Sequence, residues 1–465
     1  MSNPKSKPPT SRFGRLARLA GLGTKGLPLA VQGAKRVLGR DSQPATDEER
    51  RNERERLTTE TKKAAEAMLN TLGDLQGLPL KVGQLVSYID GIAPPGYEER
   101  FKETLKKLQD KAPPLSPEAA VKVVTAELGS EPTEVFAEWE HDPFAAASIG
   151  QVHRATTRGG DRVAVKVQYP GIDKAIRNDL KSIKMFGSMM GPLSSRLDPA
   201  ETIQEFTEVF LSELDYGREA EMGDLFRRMH QDDPDIVIPR VHQSLSSQRV
   251  LTSEMIGGIG YAEFCETASQ ADRDRAGLAI WRFMFGSLLK HGYLYADPHP
   301  GNYRFLPDGR VAFLDFGCIK KISDGLMAGI KRYMKAALDE DWEEFDRACI
   351  EVLDYDPEDP SWELYRRYTI QLLRPILEEE WTCSTETARE AVTVIAKGVR
   401  ELTFDGEDDK FMNVPHVPRM PREFTFLNRL QWGLASVLGG IGSVARFREV
   451  TEPWIRNGIL PVPSV

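Results

Sequence analysis

The sequence predicts an α+β fold, and three observations support this class. Residues 303–306 and 310–314 are apolar-rich runs on either side of Pro307-Asp308-Gly309, a turn typical of a β-hairpin. Polar and apolar residues alternate from Arg162 to Gln168, as they do in a half-buried strand. From Arg273 onwards helical periodicity dominates. Strands are therefore expected mainly before and around the hairpin, and helices after it.

Length and composition limit the classes of protein that the chain can belong to. It has 465 residues, 40% hydrophobic and 28% charged, which is the composition of a globular protein with two or three domains or lobes. No run of about 18 apolar residues occurs, so no membrane-spanning helix is expected. The four cysteines are widely spaced and form no metal-type pair. A reducing, cytoplasmic location is therefore expected.

Positive charge is concentrated at the N terminus. Residues 1–40 contain nine Lys or Arg and no Asp or Glu, whereas the whole chain carries a net charge of −9. The acidic remainder argues against nucleic-acid binding. A basic arm interleaved with apolar residues suits peripheral contact with an anionic membrane. A solvated tail is the alternative interpretation.

Two carboxylates and an amide lie at the ends of the predicted hairpin. Asp297 and Asn302 precede its first strand, and Asp315, followed by Phe316-Gly317, comes after its second. Phosphoryl transfer requires a carboxylate at the nucleophile and hard oxygen ligands for Mg²⁺. The order Asp, four residues, Asn, strand, Asp-Phe-Gly is that of protein kinases. The alternative is that Asp297 and Asn302 only cap turns and Asp315 only ends a strand. Because all three occur in the kinase order, this alternative is the weaker interpretation.

A strand lysine and a loop of small residues precede this motif. Lys166 ends the sequence Val-Ala-Val-Lys, the pattern of the kinase strand that carries the lysine on the ATP phosphates. Small residues let backbone N–H groups approach phosphate. The candidate phosphate-binding residues are Ala145, Ala146, Ala147, Ser148, Ile149 and Gly150. A solvent-facing lysine and an ordinary loop are the alternatives.

Acidic residues for the lysine come from a helical pattern over Asp179–Arg228. On a continuous helix Asp215 and Glu219 share a face, and Glu213 lies about 120° from Glu219. We expect Glu219 to hold the strand lysine in place. Strands are expected over Ile236–Val241 and Arg249–Ile256. The backbone expected to bond the adenine ring is that of Glu254, Met255 and Ile256.

The ordered motifs resemble those of the AarF/UbiB family of atypical, protein-kinase-like proteins, over about residues 71–319. The matching elements are Lys81-Val82-Gly83-Gln84 (the Lys-x-Gly-Gln signature), Ala145–Gly150, Val163–Lys166, Glu213-Leu214-Asp215, Glu219, Asp297–Asn302 and Asp315–Gly317. The resemblance implies a bilobal protein-kinase-like fold with N-terminal and C-terminal helical extensions. It also implies that Lys81 and Gln84 gate the site and meet Glu213 and Asp215.

The expected function follows from this resemblance. It implies ATP and Mg²⁺ as ligands, an unusual ATPase or small-molecule phosphotransferase activity, and a link to ubiquinone or other isoprenoid-lipid metabolism. The chain departs from protein kinases because Ala296 and Asp297 replace the His-Arg-Asp opening and no proline follows Gly317 before Pro357. These departures favour, as the alternative, a nucleotide-binding scaffold with little turnover, and they argue against a conventional protein kinase.

Domain boundaries follow from the prolines and the charge pattern. We expect a basic arm (1–45), an N-terminal helical extension (46–115), an N-lobe (116–258), a C-lobe (259–400) and a C-terminal helical extension (401–465). The most apolar stretch, Leu427–Val444, contains Arg429 and four glycines. It is therefore expected to pack against the core rather than to enter a membrane.

Overall fold

The computed structural model describes residues 116–147, 149–174, 176–177, 211–359, 361–390, 394 and 423–463. The expectations for the basic arm, for Lys81 and Gln84, and for Ser148 lie outside these residues. The chain divides into two compact units. The first comprises residues 1–120, 143–151 and 168–214, and the second comprises residues 121–142, 152–167 and 215–465.

Helices and strands both contribute to the described residues, which confirms the predicted α+β class. The helices used below are α1 (Pro117–Leu128), α2 (Pro132–Val135), α3 (Tyr216–Met229), α4 (Tyr261–Thr267), α5 (Gln270–His291), α6 (Asp324–Leu338), α7 (Trp342–Leu353), α8 (Trp362–Leu377), α9 (Glu423–Ile441) and α10 (Phe447–Arg456). The strands are β1 (Phe136–Trp139), β2 (Ala145–Ala147), β3 (Gly150–Thr157), β4 (Arg162–Gln168), β5 (Ile236–Val237), β6 (Val250–Glu254), β7 (Tyr293–Tyr295), β8 (Tyr303–Phe305), β9 (Val311–Phe313), β10 (Ile319–Lys321), β11 (Trp381–Thr382) and β12 (Val444–Ala445).

The strand predicted over Arg162–Gln168 is confirmed as β4, which lies inside a sheet of order β1-β3-β4-β6. It pairs antiparallel with β6, so that Lys166 lies opposite Leu251. Val163, Val165 and Val167 are buried, at 0–1% exposure. Because side chains alternate across a strand, Lys166 points to the face opposite these valines.

The predicted hairpin is also confirmed. Strands β8 and β9 pair antiparallel with Tyr303 opposite Phe313. Gly309 has φ +86°, and its N–H donates to the carbonyl of Leu306 at 2.9 Å. A residue with a side chain adopts this left-handed conformation with difficulty, which explains the glycine at the turn.

Two predictions about secondary structure near the site are wrong. The helix predicted through Asp215 is interrupted at residues 213–215, and α3 begins at Tyr216, where the Asp215 side chain caps it by accepting the Arg218 N–H at 3.2 Å. Asp215 has φ −117° and ψ 92°, outside the helical region, so Asp215 and Glu219 do not share a helical face. The small-residue loop is in part a strand, since Ala145–Ala147 form β2 and pair with β3.

The strand predicted over Ile236–Val241 is shorter than expected. Only Ile236 and Val237 form β5, which pairs parallel with β9 in a separate three-stranded sheet. Pro239 lacks the N–H that a longer ladder would require. The helical periodicity predicted from Arg273 onwards corresponds after the hairpin to separate helices, of which α6 and α7 are the first two.

Helix α9 packs against the core, as predicted for Leu427–Val444. Leu430, Leu434 and Leu438 are at most 2% exposed. A Cβ atom built on Gly433 would lie 2.4 Å from Cγ of Pro298, so α9 lies directly against the loop that carries Asp297. Among the residues that the structure describes, no helix has the length and apolar composition needed to cross a bilayer.

Candidate functional site

Lys166, Glu219 and Asp315 form one ion-pair cluster in the second unit. The Nζ atom of Lys166 lies 3.0 Å from Oε1 and 3.1 Å from Oε2 of Glu219, and 3.3 Å from Oδ2 of Asp315. The side chains of Lys166 and Glu219 are 17% and 3% exposed, whereas that of Asp315 is 32% exposed. The cluster is therefore buried at Glu219 and more open at Asp315.

Three elements bring these side chains together. Strand β4 supplies Lys166 on the face opposite its core valines, and the first turn of α3 supplies Glu219. Asp315 follows β9 by two residues and its Oδ1 accepts the Gly317 N–H at 3.0 Å. Phe316, the residue after Asp315, contacts α3 in two ways. Its backbone N–H bonds to Glu219, and its ring would be 3.5 Å from a Cβ atom built on Gly223 of α3.

An aromatic core fixes the strand before Asp315. Phe283 of α5 stacks on Phe313 of β9 with ring centroids 3.6 Å apart. Phe226 of α3 lies 5.5 Å from Phe283 and 5.7 Å from Phe316. Helices α3 and α5 are thereby joined to β9 by ring contacts that bury large apolar area.

The charges of the cluster keep Lys166 protonated. Burial alone would lower the pKa of Lys166, but the neighbouring Asp315 and Glu219 carboxylates outweigh it and raise that pKa well above its usual value. The Nζ atom also lies 4.8 Å from the centroid of the Tyr216 ring, a cation–π arrangement. Burial raises the pKa of Glu219, with Lys166 acting in the opposite direction. Lys166 is thus a fixed positive charge at neutral pH.

The loop of residues 296–302, here called the catalytic loop after the role that its sequence predicts, holds Asn302 beside Asp297. The Nδ2 atom of Asn302 donates to the backbone carbonyl of Asp297 at 3.0 Å, and lies 3.5 Å from Oδ2 of Asp297 and 3.4 Å from the hydroxyl of Tyr295. These acceptors orient the amide so that Oδ1 of Asn302 lies on its other side. The Leu314 N–H donates to the Asn302 carbonyl at 3.0 Å, which ties the loop to the residue before Asp315.

The donor set fits Mg²⁺. This ion is held by one or two protein carboxylates together with phosphate oxygens and water, rather than by a complete protein cage. Asp315 supplies a carboxylate, and Oδ1 of Asn302 supplies an amide oxygen. Within the described residues no group of three or more His, Cys, Asp or Glu side chains is arranged to hold a metal ion, so a site made of protein ligands alone is not seen there.

The remaining predicted residues are distributed as follows. Ala145, Ala146, Ala147, Ile149, Gly150 and Glu213 belong to the first unit, whereas Asp215 and the residues of the ion-pair cluster and the catalytic loop belong to the second. In the expected adenine segment, the Glu254 N–H donates to the Arg240 carbonyl at 2.9 Å and the Met255 N–H to the Arg162 carbonyl at 3.0 Å. These two N–H groups already donate to other backbone carbonyls. The groups left for the predicted contact with adenine are the carbonyls of this segment and the Ile256 N–H.

Two tyrosines at the site were missed by sequence reasoning. Tyr216 is fully buried and lies beside the Lys166 ammonium, and Tyr295 is 1% exposed and lies beside Asn302. Each stands next to a predicted motif, but a tyrosine is also a common core residue. No pattern in the sequence distinguishes the two roles.

A comparison with models of protein families identifies the kind of domain that carries this site. Residues 107–349, more than half of the chain, match the model described as the ABC1 atypical kinase-like domain. The chain belongs to this family. The resemblance to AarF/UbiB proteins that the motifs predicted is thereby confirmed, and the α+β fold is that of an ABC1 kinase-like protein.

The relatives of this ABC1 kinase-like chain include organellar and bacterial proteins. It is 35% identical over 247 residues to the Arabidopsis thaliana protein Activity of BC1 complex kinase 7, chloroplastic, which covers 52% of the chain. It is 31% identical over 336 residues to the rat atypical kinase COQ8B, mitochondrial, which covers 72% of the chain. The chain spans 35% of the Arabidopsis protein, 62% of the rat protein and 54% of an uncharacterized Mycobacterium tuberculosis protein.

A solved structure of similar fold is that of Rv3197 from Mycobacterium tuberculosis in complex with erythromycin. The TM-score is 0.61 at 26% sequence identity, and the match covers 86% of this chain and 98% of that one.

Proposed function

We propose that this chain binds Mg-ATP and transfers the γ-phosphoryl group, either to water as an ATPase or to a small acceptor as a phosphotransferase. The observation that carries the proposal is the position of the Lys166 ammonium, within 3.3 Å of both Glu219 and Asp315. A lysine held by a helix glutamate, beside an aspartate that follows a strand, is the arrangement that positions ATP phosphates in kinases.

Each polar side chain takes a separate role in this proposal. Lys166 neutralises phosphate charge, and Glu219 keeps its ammonium in place. Asn302 and Asp315 would hold Mg²⁺, which would supply positive charge against the phosphates. Asp297 accepts or orients the proton of the nucleophile. Lys166 can retain Glu219 and turn a further N–H towards phosphate when Asp315 takes a metal.

The remaining nucleotide contacts are backbone contacts. The phosphate-binding residues are proposed to be Ala145, Ala146, Ala147, Ser148, Ile149 and Gly150. The adenine ring would meet the backbone at Glu254–Ile256 through groups other than the two amides already bonded within the chain. Lys81 and Gln84 would gate the site together with Glu213 and Asp215.

The segment after Asp-Phe-Gly favours a small acceptor over a protein. Strand β10 begins two residues after Gly317 and pairs antiparallel with β7, and Ser323 is already the N-cap of α6. In protein kinases the same segment carries a phosphorylation site and ends in Ala-Pro-Glu. Here six residues join Gly317 to α6, and they lack the corresponding platform for a protein substrate.

The biological setting is proposed from the family and from charge. We infer a role in ubiquinone or other isoprenoid-lipid metabolism, which the AarF/UbiB resemblance suggests. Residues 1–40, with nine basic and no acidic residues, would make peripheral contact with an anionic membrane from the cytoplasmic side.

ADP release from Mg-ATP by the purified chain tests the proposal. We expect turnover in the wild type and its loss in Asp315→Asn, with unchanged circular dichroism. In parallel the protein is centrifuged with anionic or with neutral liposomes, and it should be found in the pellet only with the anionic ones. Equal ADP release by the wild type and Asp315→Asn would remove the metal assignment.

One observation favours a second candidate function, a nucleotide-binding scaffold with little turnover. Both carboxylate oxygens of Asp315 already accept from protein donors, Oδ1 from the Gly317 N–H and Oδ2 from Lys166. Each oxygen keeps a lone pair for a metal, but the positive charge of Lys166 beside Oδ2 disfavours a cation there. Nucleotide binding without ADP release under every condition would support the scaffold instead.

A further inference from the structure

A cavity in the second unit lies between helices α5, α8 and α9, apart from the ion-pair cluster. Its volume is about 70 Å³, and its walls include Trp281, Phe285, Trp381 and Leu434. A smaller cavity of about 10 Å³ adjoins it and shares the Trp281, Phe285, Leu372 and Gln431 walls. An apolar cavity of about 150 Å³ admits benzene, so this one, with about half that volume, suits a molecule smaller than benzene.

One residue that lines this mainly apolar space carries an unsatisfied hydrogen-bond acceptor. The Oε1 atom of Gln431 is buried without a hydrogen-bond partner, and Gln431 lines both cavities. A buried acceptor without a donor is costly in free energy, and a ligand that supplies the donor removes that cost.

Water alone is a poor occupant of such a cavity. A buried water requires two to four polar partners. The walls contribute mainly aromatic rings and aliphatic side chains beside the one free acceptor, Oε1 of Gln431. A molecule with an apolar body and one donor matches both features of the lining.

Helix α9 connects this cavity to the catalytic loop. Gln431 and Leu434 line the cavity, while Gly433 between them lies against Pro298, next to Asp297. The Nε1 atom of Trp432 donates to the Tyr368 hydroxyl at 2.7 Å, which holds α9 to α8. A shift of α9 on ligand binding is therefore passed to Pro298 by direct contact.

We propose that the cavity between α5, α8 and α9 binds a small, largely apolar molecule with one hydroxyl or N–H donor, and that its occupancy acts on the catalytic loop through α9. The proposal concerns a site separate from the nucleotide and does not depend on turnover.

Pyrrole and furan are suitable probes, because they have the same size and shape and only pyrrole has a donor. Saturation-transfer NMR of the whole chain with each probe should show pyrrole binding about five- to tenfold more tightly, the effect of one hydrogen bond. In Gln431→Met pyrrole should fall to the affinity of furan. Equal affinity of the two probes for the wild type would overturn the proposal.

A pair of variants on α9 controls for location. Ala435 lines the cavity, whereas the neighbouring Ser436 is exposed and is not among the residues that line it. Ala435→Leu should fill the cavity and abolish binding of both probes, and Ser436→Leu, which adds the same side chain, should leave binding unchanged. Pyrrole binding that persists in Ala435→Leu would contradict this site.

Hydrogen exchange of the catalytic loop tests the coupling. Saturating pyrrole should change amide exchange in residues 296–302 of the wild type and not of Ala435→Leu. Unchanged exchange in the wild type would overturn the action through α9.

Discussion

Two ion-pair clusters flank the strands around Asp315, and they differ in charge balance. The Lys166 cluster contains one cation and two carboxylates, Glu219 and Asp315. The second, here called the Arg282 cluster, consists of Arg275, Arg282, Asp233 and Asp235, two cations with two carboxylates. In these contacts the Lys166 cluster therefore has one carboxylate more than it has cations, whereas the Arg282 cluster has equal numbers of the two.

The hydrogen bonds of the Arg282 cluster connect α5 to the hairpin and to the residues before β5. Arg282 donates to Asp233 and to Asp235, each at 2.7 Å, and Arg275 donates to the Asp308 carbonyl in the hairpin turn at 2.7 Å. The Asp235 carbonyl accepts the Val311 N–H of β9 at 2.8 Å. Burial would raise the pKa of Asp235, but the bonds from Arg282 and Arg275 lower it. The paired charges of the Arg282 cluster therefore stabilise the hairpin.

The largest expected effect separates the two clusters by activity. Lys166→Met should lower the rate of ADP release by about 10²- to 10³-fold, because it removes a fixed charge from the phosphates. Arg282→Met should leave the rate near that of the wild type. Steady-state kinetics on both variants measure this difference. Comparable loss in the two variants would show that the clusters do not have separate roles.

The second effect is on stability. Arg282→Met leaves Asp233 and Asp235, which are 16% and 15% exposed, without their shared partner. It should lower the free energy of unfolding by about 2–3 kcal/mol, somewhat less than for a fully buried pair. Arg310→Met breaks the exposed pair with Asp308 and should have little effect. Urea denaturation of both variants gives the comparison, and equal losses would contradict it.

A smaller effect depends on pH and concerns His230, which precedes the Arg282 cluster in the chain. Burial lowers the pKa of His230 to about 3, and its Nε2 lies 2.7 Å from the Ser287 hydroxyl. Asp233 acts to raise this pKa, whereas Lys290, His291 and Arg282 lower it further. The unfolded chain binds a proton there below about pH 6.5, so the contribution to stability is lost as pH falls from 6.5 towards 3.

Urea denaturation at two pH values measures the His230 effect. From pH 7.5 to pH 5 the wild type should lose about 2 kcal/mol of unfolding free energy through His230. His230→Gln removes the titrating group, so the variant should lose correspondingly less over the same interval. The same pH dependence in both proteins would assign the acid sensitivity to other groups.

The parts of the site that sequence predicts are those encoded over short stretches. The Pro-Asp-Gly turn, the alternation around Lys166 and the spacing from Asp297 to Asn302 each require only neighbouring residues. The Arg282 cluster was not predicted. In the sequence Arg275 and Arg282 look like ordinary charged residues of a surface helix, and their partners Asp233 and Asp235 lie about 40 to 50 residues earlier in the chain. The break before α3 was not predicted, because helical periodicity in the sequence continues through Asp215. In the structure the Asp215 side chain caps a new helix that begins at Tyr216.

Calorimetric titration with a non-hydrolysable ATP analogue, in Mg²⁺ and in EDTA, tests the central claim most directly. The account predicts that Mg²⁺ increases the affinity of the wild type and that Asp315→Asn loses this increase while it still binds the analogue in EDTA. The same Mg²⁺-dependent increase in Asp315→Asn would contradict the account, because the metal would then be held by other groups.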